Sequence, residues 1–462
     1  MNKQNSIIFA IIFFLAPLFP ATAEITEIDG KVVNGEGFTI RLMTYKDQVS
    51  YQRITLQSDT IRQDELFSFS VDIDSVTYCW LDLEFQHAEI FMQPGQHYEI
   101  EIELRNTSLS TSYYNRTGLP IKFVKDDQDH LNISIQDFNQ LYNDFLLNLS
   151  DKVRSQNSKN SFENFLHAID IRFQNNHNTF FRNYIWYKTA SMQLFMRLKS
   201  RENIGLEYFT GKPVLYGHLE YMDFFHLYFE KYFITGGKYF SYNKTYDLIN
   251  GGASTKEILD SLQTDPVLND LDVRELLLLD GLKELYNISG FKRERIMALI
   301  QEIAENGESS ESRYLAMNLI NRLKRLQPGS PAPDFMLSAI NEDKEFRLSD
   351  FSGKYIYLAF FDSGNLASQS ELGMVTELYE RYNSKVAFVA ISVDKNAAVL
   401  SEYLAKACLP WLVLHYGGNL ELLENYDASS FPNFLLIDDK GTIFRCPAPS
   451  PSENIQKLFD SF

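Results

Sequence analysis

The sequence predicts a multidomain fold with an N-terminal antiparallel β-sandwich, a central all-α helical region and a C-terminal α/β domain. Its 462 residues supply roughly two to four domains at about 100 to 200 residues each. The hydrophobic period changes from two residues to about 3.6 near residue 121, and a proline-rich segment near residue 330 precedes alternating apolar and amphipathic runs. We therefore expect four segments, at 1–23, 24–120, 121–326 and 327–462.

Residues 1–23 have the pattern of a signal peptide. Lys3 gives a positive start, an apolar run follows at 7–16, and Ala21-Thr22-Ala23 fits an A-x-A cleavage site. The run is shorter than the ~18 apolar residues that a membrane span needs. We expect an exported, periplasmic protein with no membrane span after cleavage, and an uncleaved anchor is the alternative.

Residues 24–120 alternate apolar and polar side chains, as in FSFSV at 67–71, which is typical of strands with one buried face. Asn34-Gly35 and Pro94-Gly95 mark turns between such strands. The length and spacing predict six to eight strands in an antiparallel sandwich.

Residues 121–326 follow a helical period instead. One apolar stripe runs through Phe138, Leu141, Tyr142, Phe145, Leu146 and Leu149, and others lie at 180–198, 216–233, 273–286, 295–303 and 314–326. Two of these segments are dense in aromatic residues. Because the aromatics keep the stripe spacing, we expect core packing rather than an aromatic binding groove.

The C-terminal segment alternates buried strands with helices. Continuous apolar runs predict strands at 356–361 and 386–393, and amphipathic runs predict helices at 366–382 and 397–407. Strands at 434–437 and 442–446 flank a hairpin turn, and Ser452 is placed to cap a last helix at 453–462. A β-α-β half followed by a β-hairpin and a helix is a thioredoxin-type layout.

The composition and the motifs argue against several classes of cofactor and partner. The chain has 43 Lys and Arg against 61 Asp and Glu, a net charge of −18, so we expect no nucleic-acid partner. Three cysteines exclude a disulfide-stapled scaffold and a Cys-rich metal protein. The eight histidines are scattered singly and no phosphate-binding glycine motif occurs, so we expect no metal and no cofactor. The oligomeric state stays open.

Three motifs carry a family resemblance. They are GSPAPDF at 329–335, LSDFSGK at 348–354 and YDASSFPNFLLID at 426–438. Residues 327–462 resemble the TlpA-like thiol-disulfide oxidoreductases and the wider alkyl hydroperoxide reductase and thiol-specific antioxidant (AhpC-TSA) group. The preceding strands and helices are similar to poorly characterised N-terminal regions in some exported bacterial proteins.

The resemblance implies a Cys-x-x-Cys pair at the start of the first helix, where the helix N-terminus stabilises a thiolate. This chain has Asn365 and Ser368 at those positions. We therefore expect no catalytic residue there, with Asn365 as N-cap and Ser368 paired with Glu371 in a capping box. Phe431 and Pro432 match the family's cis-proline loop, beside which an extended partner segment pairs by strand addition.

The cysteines and one histidine have plain structural interpretations. Cys79 lies in an apolar strand and is expected to be buried. Cys408 ends a helix and Cys446 ends a strand, and in an oxidising compartment the two could form a disulfide or remain free. His415 is expected at a strand end rather than as a catalytic base.

The leading functional hypothesis is a non-catalytic binding protein of the cell envelope, with a redox-inactive thioredoxin-like domain and a protein or peptide partner. The alternative is an enzyme, a thiol-disulfide oxidoreductase working through Cys408 or Cys446. A third possibility is a structural envelope component that uses the aromatic helical region as its contact surface.

Overall fold

The fold is described from a computed structural model, which covers residues 24–83, 86–105, 117–124, 130–149, 158–235, 237–340, 344–394 and 397–462. The predicted signal peptide at 1–23 lies outside these ranges. Within them, no helix combines the length and the apolar character that crossing a membrane requires.

The N-terminal region consists of two facing β-sheets. Its described strands are β1 (Glu24–Val33), β2 (Thr39–Tyr45), β3 (Arg53–Thr60), β4 (Leu66–Ile73), β5 (Thr77–Leu83), β6 (Gln86–Met92), β7 (His97–Glu103), β8 (Thr117–Gly118) and β9 (Lys122–Phe123). The sheet orders are β4-β1-β7-β9 and β3-β2-β5-β6-β8. Ile28, Phe69 and Leu81 are at most 1% exposed and form part of one core, as the alternation predicted.

The pairing of these strands is mixed rather than wholly antiparallel. β1 pairs with β7 in parallel, and β6 pairs with β8 in parallel. The alternation of side chains reports which face is buried but not strand direction, so these two pairs were not predictable from it. β9 also lies beyond residue 120, where we expected the helical region to begin.

The central region contains eleven described helices. They are α1 (His130–Leu149), α2 (Ser158–Phe173), α3 (Thr179–Met196), α4 (Arg201–Tyr208), α5 (Leu219–Phe229), α6 (Tyr232–Thr235), α7 (Tyr242–Gly251), α8 (Thr255–Leu262), α9 (Leu271–Leu285), α10 (Arg293–Asn306) and α11 (Ser310–Lys324). α9 is buried on all sides from Val273 to Leu282 and forms the centre of this region. Phe224, Phe225 and Phe229 are at most 4% exposed, so the prediction of core packing is confirmed for that cluster.

A loop of the sandwich inserts into the helical region. Val49, between β2 and β3, is 0% exposed and belongs to the helical core. Its carbonyl accepts a hydrogen bond from Lys283 Nζ at 3.2 Å, and Asp47 Oδ2 accepts one from Asn318 Nδ2 at 3.0 Å. His226 Nε2 lies 2.9 Å from the carbonyl oxygen of Gln48. These contacts fasten the sandwich to α5, α9 and α11.

The C-terminal region is a five-stranded sheet with helices on its faces. Its elements are β10 (Met336–Ser338), β11 (Glu345–Arg347), β12 (Tyr355–Phe361), α12 (Leu366–Tyr382), β13 (Val386–Ser392), α13 (Ala397–Ala407), β14 (Leu412–His415), α14 (Leu420–Asn425), β15 (Asn433–Ile437), β16 (Ile443–Arg445) and α15 (Gln456–Phe459). The sheet order is β14-β13-β12-β15-β16, with β12, β13 and β14 parallel and β15 and β16 antiparallel. The thioredoxin-type layout is confirmed.

The predicted final helix is shorter than expected. A 3₁₀ turn at Pro451–Glu453 comes first, and its N-cap is Ser450 rather than Ser452. Asn454 then takes a positive φ of 63°, which interrupts the helix before α15. The Ser452 hydroxyl instead donates to Glu371 Oε1 at 2.5 Å. Pro451 at the first helical position accounts for the earlier start.

Two arginines connect this region to the rest of the chain. Arg325, just after α11, donates to the Glu424 carbonyl at 2.6 Å and to Asp427 Oδ1 at 3.0 Å. Arg53, at the start of β3, lies 2.5 Å from Glu424 Oε1. The end of α14 therefore contacts both the helical region and the sandwich.

We expect Val49→Ala to lower the free energy of unfolding by about 2 kcal/mol, because two buried methyl groups are lost from the helical core. Urea denaturation followed by circular dichroism measures this change. Val124→Ala is the control, since Val124 is 56% exposed and the same deletion there removes little buried surface. Equal stabilities of the two variants would contradict the insertion of the loop.

Candidate functional site

Helix α12 begins at Leu366, a short loop after β12 ends at Phe361, and Asn365 is its N-cap. Asn365 Oδ1 accepts hydrogen bonds from the main-chain N–H groups of Ala367 at 2.8 Å and Ser368 at 3.3 Å. The predicted capping role of Asn365 is confirmed. These bonds satisfy two of the N–H groups that a helix leaves unpaired at its start.

The predicted capping box of Ser368 and Glu371 is wrong. Ser368 is 0% exposed, and its hydroxyl oxygen has no hydrogen-bond partner among the described residues. Glu371 accepts instead from Ser452, through its main-chain N–H at 3.1 Å and its hydroxyl at 2.5 Å. Ser368 lies inside the first turn of α12 rather than before it, so its side chain points into the core.

The amide nitrogen of the Asn365 side chain contacts the proline loop. Asn365 Nδ2 donates to the Phe431 carbonyl at 3.2 Å, and the Phe431–Pro432 peptide bond is cis. Leu366, the first residue of α12, is 80% exposed beside this contact. The structure thus brings Asn365 into contact with Phe431, next to Pro432, whereas Ser368 is buried in the first turn of α12.

A buried carboxylate supports the start of α12 from below. Asp394 follows β13, is 8% exposed and accepts from the Ser363 hydroxyl at 2.6 Å and the Ser392 hydroxyl at 2.5 Å. The main-chain N–H of Ser363 also donates to it, at 3.2 Å. Sequence reasoning missed this group. The sequence feature that could have revealed it is the pair of polar residues, Ser363 and Asp394, that follow the carboxyl ends of the adjacent parallel strands β12 and β13.

His415 does not form a catalytic arrangement with these groups. It ends β14, as predicted, and its Nε2 lies 2.6 Å from the main-chain oxygen of Asp394. Its Nδ1 accepts from the main-chain N–H of Gly417 at 3.2 Å. Both ring nitrogens therefore contact main-chain atoms, and neither is placed to remove a proton from Ser363.

The three cysteines are free thiols. Cys79 is 0% exposed, which confirms its prediction as a buried apolar residue, and burial raises its pKa to about 12. The disulfide considered between Cys408 and Cys446 is absent. Cys408 is exposed at the end of α13. Cys446 is half-buried after β16, and burial, together with the negative charge of Asp427, raises its pKa to about 11.

A cleft of about 800 Å³ lies between the proline loop and the helical region. Pro432 and Cys446 line one side, and the end of α9, the start of α10 and the end of α11 line the other. The charged side chains in its walls are Lys283, Arg293, Arg322, Asp427 and Glu453. In the described ranges, no group of three histidine, cysteine or acidic side chains is placed to hold a metal ion.

Comparison with known proteins places the homology in the C-terminal region. The family model described as "Thioredoxin-like" (Thioredoxin_8) matches residues 353–443. The thiol-disulfide oxidoreductase ResA of Bacillus cereus is 26% identical over 133 residues, covering 28% of this chain and 75% of that protein. ResA of Oceanobacillus iheyensis is 29% identical over 133 residues, covering 28% of this chain and 69% of that protein.

Solved structures match the same share of the chain. A putative thiol-disulfide oxidoreductase from Bacteroides vulgatus is 29% identical with a TM-score of 0.28, covering 30% of this chain and 98% of that structure. Together, the family match, the ResA relatives and the sheet order identify the C-terminal region of this chain as a thioredoxin-like domain with homology to ResA/TlpA-type thiol-disulfide oxidoreductases.

Proposed function

We propose that this chain is an exported binding protein of the cell envelope whose thioredoxin-like domain contacts a protein or peptide partner and does not exchange disulfides. The observation that carries this proposal is the Asn365 carboxamide, which caps α12 and holds the Phe431 carbonyl at 3.2 Å. Export rests on the signal-peptide pattern at 1–23.

Disulfide exchange requires a thiolate that attacks a sulfur atom and a second thiol that resolves the mixed disulfide. A carboxamide and a buried hydroxyl, from Asn365 and Ser368, supply neither group. The name thiol-disulfide oxidoreductase belongs to the ResA relatives, and the residues at the corresponding helix start in this chain argue against carrying that activity over.

One observation favours the alternative, an oxidoreductase working through Cys446. This thiol lines the same cleft as Pro432, beside which the family's partner segment lies. Two properties weigh against it. A pKa of about 11 leaves little thiolate at neutral pH, and Cys408 lies outside the lining of that cleft, so no second thiol is at hand there.

The surface around the proline loop favours contact through apolar side chains over the strand addition that the resemblance implies. The Phe431 carbonyl, a main-chain acceptor of the loop, already receives a hydrogen bond from Asn365. Leu366, which follows Asn365 in the chain, is 80% exposed, and Phe431 and Pro432 are half-buried, so apolar side chains flank the contact between Asn365 and Phe431. We therefore assign the main contact to side chains rather than to main-chain pairing.

The reactivity of Cys446 tests the alternative. We expect iodoacetamide to alkylate Cys446 slowly at pH 8 and faster toward pH 11, since a pKa of about 11 leaves roughly one thiol in a thousand ionised at pH 8. Mass spectrometry of the peptides measures the rate, with the exposed Cys408 as the comparison in the same sample. Rapid alkylation of Cys446 at pH 8 would favour the oxidoreductase.

Insulin reduction tests the proposal directly. We expect the wild-type protein to match a Cys408→Ser/Cys446→Ser variant at the background rate. The double variant Asn365→Cys/Ser368→Cys should exceed both by tenfold or more, on the order of one unit in log rate, because it restores two thiols at a helix N-terminus. Wild-type activity that disappears in the Cys408→Ser/Cys446→Ser variant would overturn the proposal.

Partner capture tests the contact surface. We expect Leu366→Asp to reduce the amount of specific partner captured from cell-envelope extract by about tenfold, because it places a charge in an apolar contact. Leu147→Asp is the matched control, since Leu147 is 75% exposed on α1. Quantitative mass spectrometry measures the capture. Equal capture by the two variants would contradict a contact at Leu366.

A further inference from the structure

The cleft beside Pro432 adjoins a second cavity. That cavity, of about 620 Å³, lies between β3 and the end of α14, and Tyr51, Arg322, Asp427 and Ser429 line both spaces. The two cavities therefore share one wall, and Arg322 on α11 stands in it. A segment that enters from the proline loop would meet Arg322 at this junction.

Arg322 is the guanidinium in this wall that lacks a partner. It is half-buried, and within the described ranges its side chain makes no hydrogen bond or ion pair. Arg325, one turn further on, contacts the Glu424 carbonyl, Asn425 Oδ1 and Asp427 Oδ1. Because partial burial removes water from a charged group, an unpaired guanidinium here is costly unless a ligand supplies an anion.

The other charges of the cleft are engaged within the fold. Lys283 lies 2.5 Å from Asp280, and Asp427 is paired with Arg325 at 3.0 Å. Glu453 accepts from the main-chain N–H of Ser450 at 2.9 Å.

Arg293 stacks over the Tyr286 ring at 5.0 Å and donates to the Tyr286 carbonyl at 3.2 Å, with no carboxylate partner among the described residues. Within the described ranges, Arg293, Arg322 and Glu453 form no ion pair, so two positive charges and one negative charge of the walls remain unneutralised by a salt bridge. The walls carry a surplus of about one positive charge, in a chain whose net charge is −18.

A single surplus positive charge fits a monoanion better than a doubly charged phosphate. The planar fork of a guanidinium matches the two oxygens of a carboxylate. A cleft of about 800 Å³ has the size of a site for a short peptide segment. From these observations we infer that Arg322 binds a carboxylate of the partner segment, from an acidic side chain or a C-terminus. This inference rests on the proposed binding function and names the chemistry of its partner.

Dye-labelled decapeptides of Gly, Ser, Ala and Val test this inference by fluorescence anisotropy. One set carries two Glu residues and its counterpart two Gln residues, each with a free or an amidated C-terminus. We expect the full-length protein to bind a carboxylate-bearing peptide about fivefold or more tighter than its neutral counterpart. A preference for Glu identifies a side-chain carboxylate, and a preference for the free C-terminus identifies a terminal one.

Three variants assign the preference to the guanidinium. Arg322→Gln should abolish it, and Arg322→Lys should retain part of it, because the charge stays while the fork is lost. Lys324→Gln is the matched control, since it removes the same charge from the exposed face of the same helix and should leave the preference unchanged.

The inference fails if no peptide binds, if neither the Glu residues nor the free C-terminus is preferred over its neutral counterpart, or if Arg322→Gln keeps the preference. It also fails if inorganic phosphate displaces the peptide more effectively than acetate does, because the site would then select a phosphate. Partner capture that depends on Leu366 is measured separately. Its survival alongside a negative peptide result would reject the carboxylate site while leaving the proposed binding function in place.

Discussion

The carboxamide of Asn365 both caps helix α12 and holds the proline loop against the start of that helix. A helix leaves main-chain N–H groups unpaired at its start, and Oδ1 of Asn365 accepts hydrogen bonds from two of those at the start of α12. The same side chain donates through Nδ2 to the Phe431 carbonyl and ties the helix to the proline loop. A thiol at this position would be a weak hydrogen-bonding group for both tasks. The residue that stands where the resemblance implies the family's first thiol thus also stabilises the geometry around it.

The surroundings of the proline loop depend on all three regions of the chain. The loop carrying Val49 inserts into the helical core, and its neighbour Tyr51 lines the cleft that Pro432 and Cys446 line from the other side. Arg325 fixes the end of α11 against the Glu424 carbonyl. The cleft therefore forms only where the three regions of the chain meet. In the thioredoxin-like domain alone, Pro432 would face solvent where the helical region now covers it.

Predictions from the sequence succeeded where a local pattern decides the structure and failed where a side chain chooses among distant partners. The helix at 366–382 was predicted with the bounds that the structure has, because its apolar period and cap are local. Ser368 and Ser452 were assigned caps that they do not form. Both assignments considered only neighbours in the sequence. In the structure Glu371 accepts a hydrogen bond from Ser452, which lies 81 positions further along the chain.

The sequence by itself determined the order of strand, helix and α/β segments, the burial of Cys79, and the absence of a thiol pair at the start of α12. These follow from residue identity and short-range periodicity. Only the tertiary structure decided that Asp394 supports the helix start, that Cys446 shares a cleft with Pro432, and that Arg322 lies there with no side-chain partner in the described part of the chain. Such contacts join residues far apart in the chain, and the free energy of burying each polar group depends on neighbours that one-dimensional patterns do not specify.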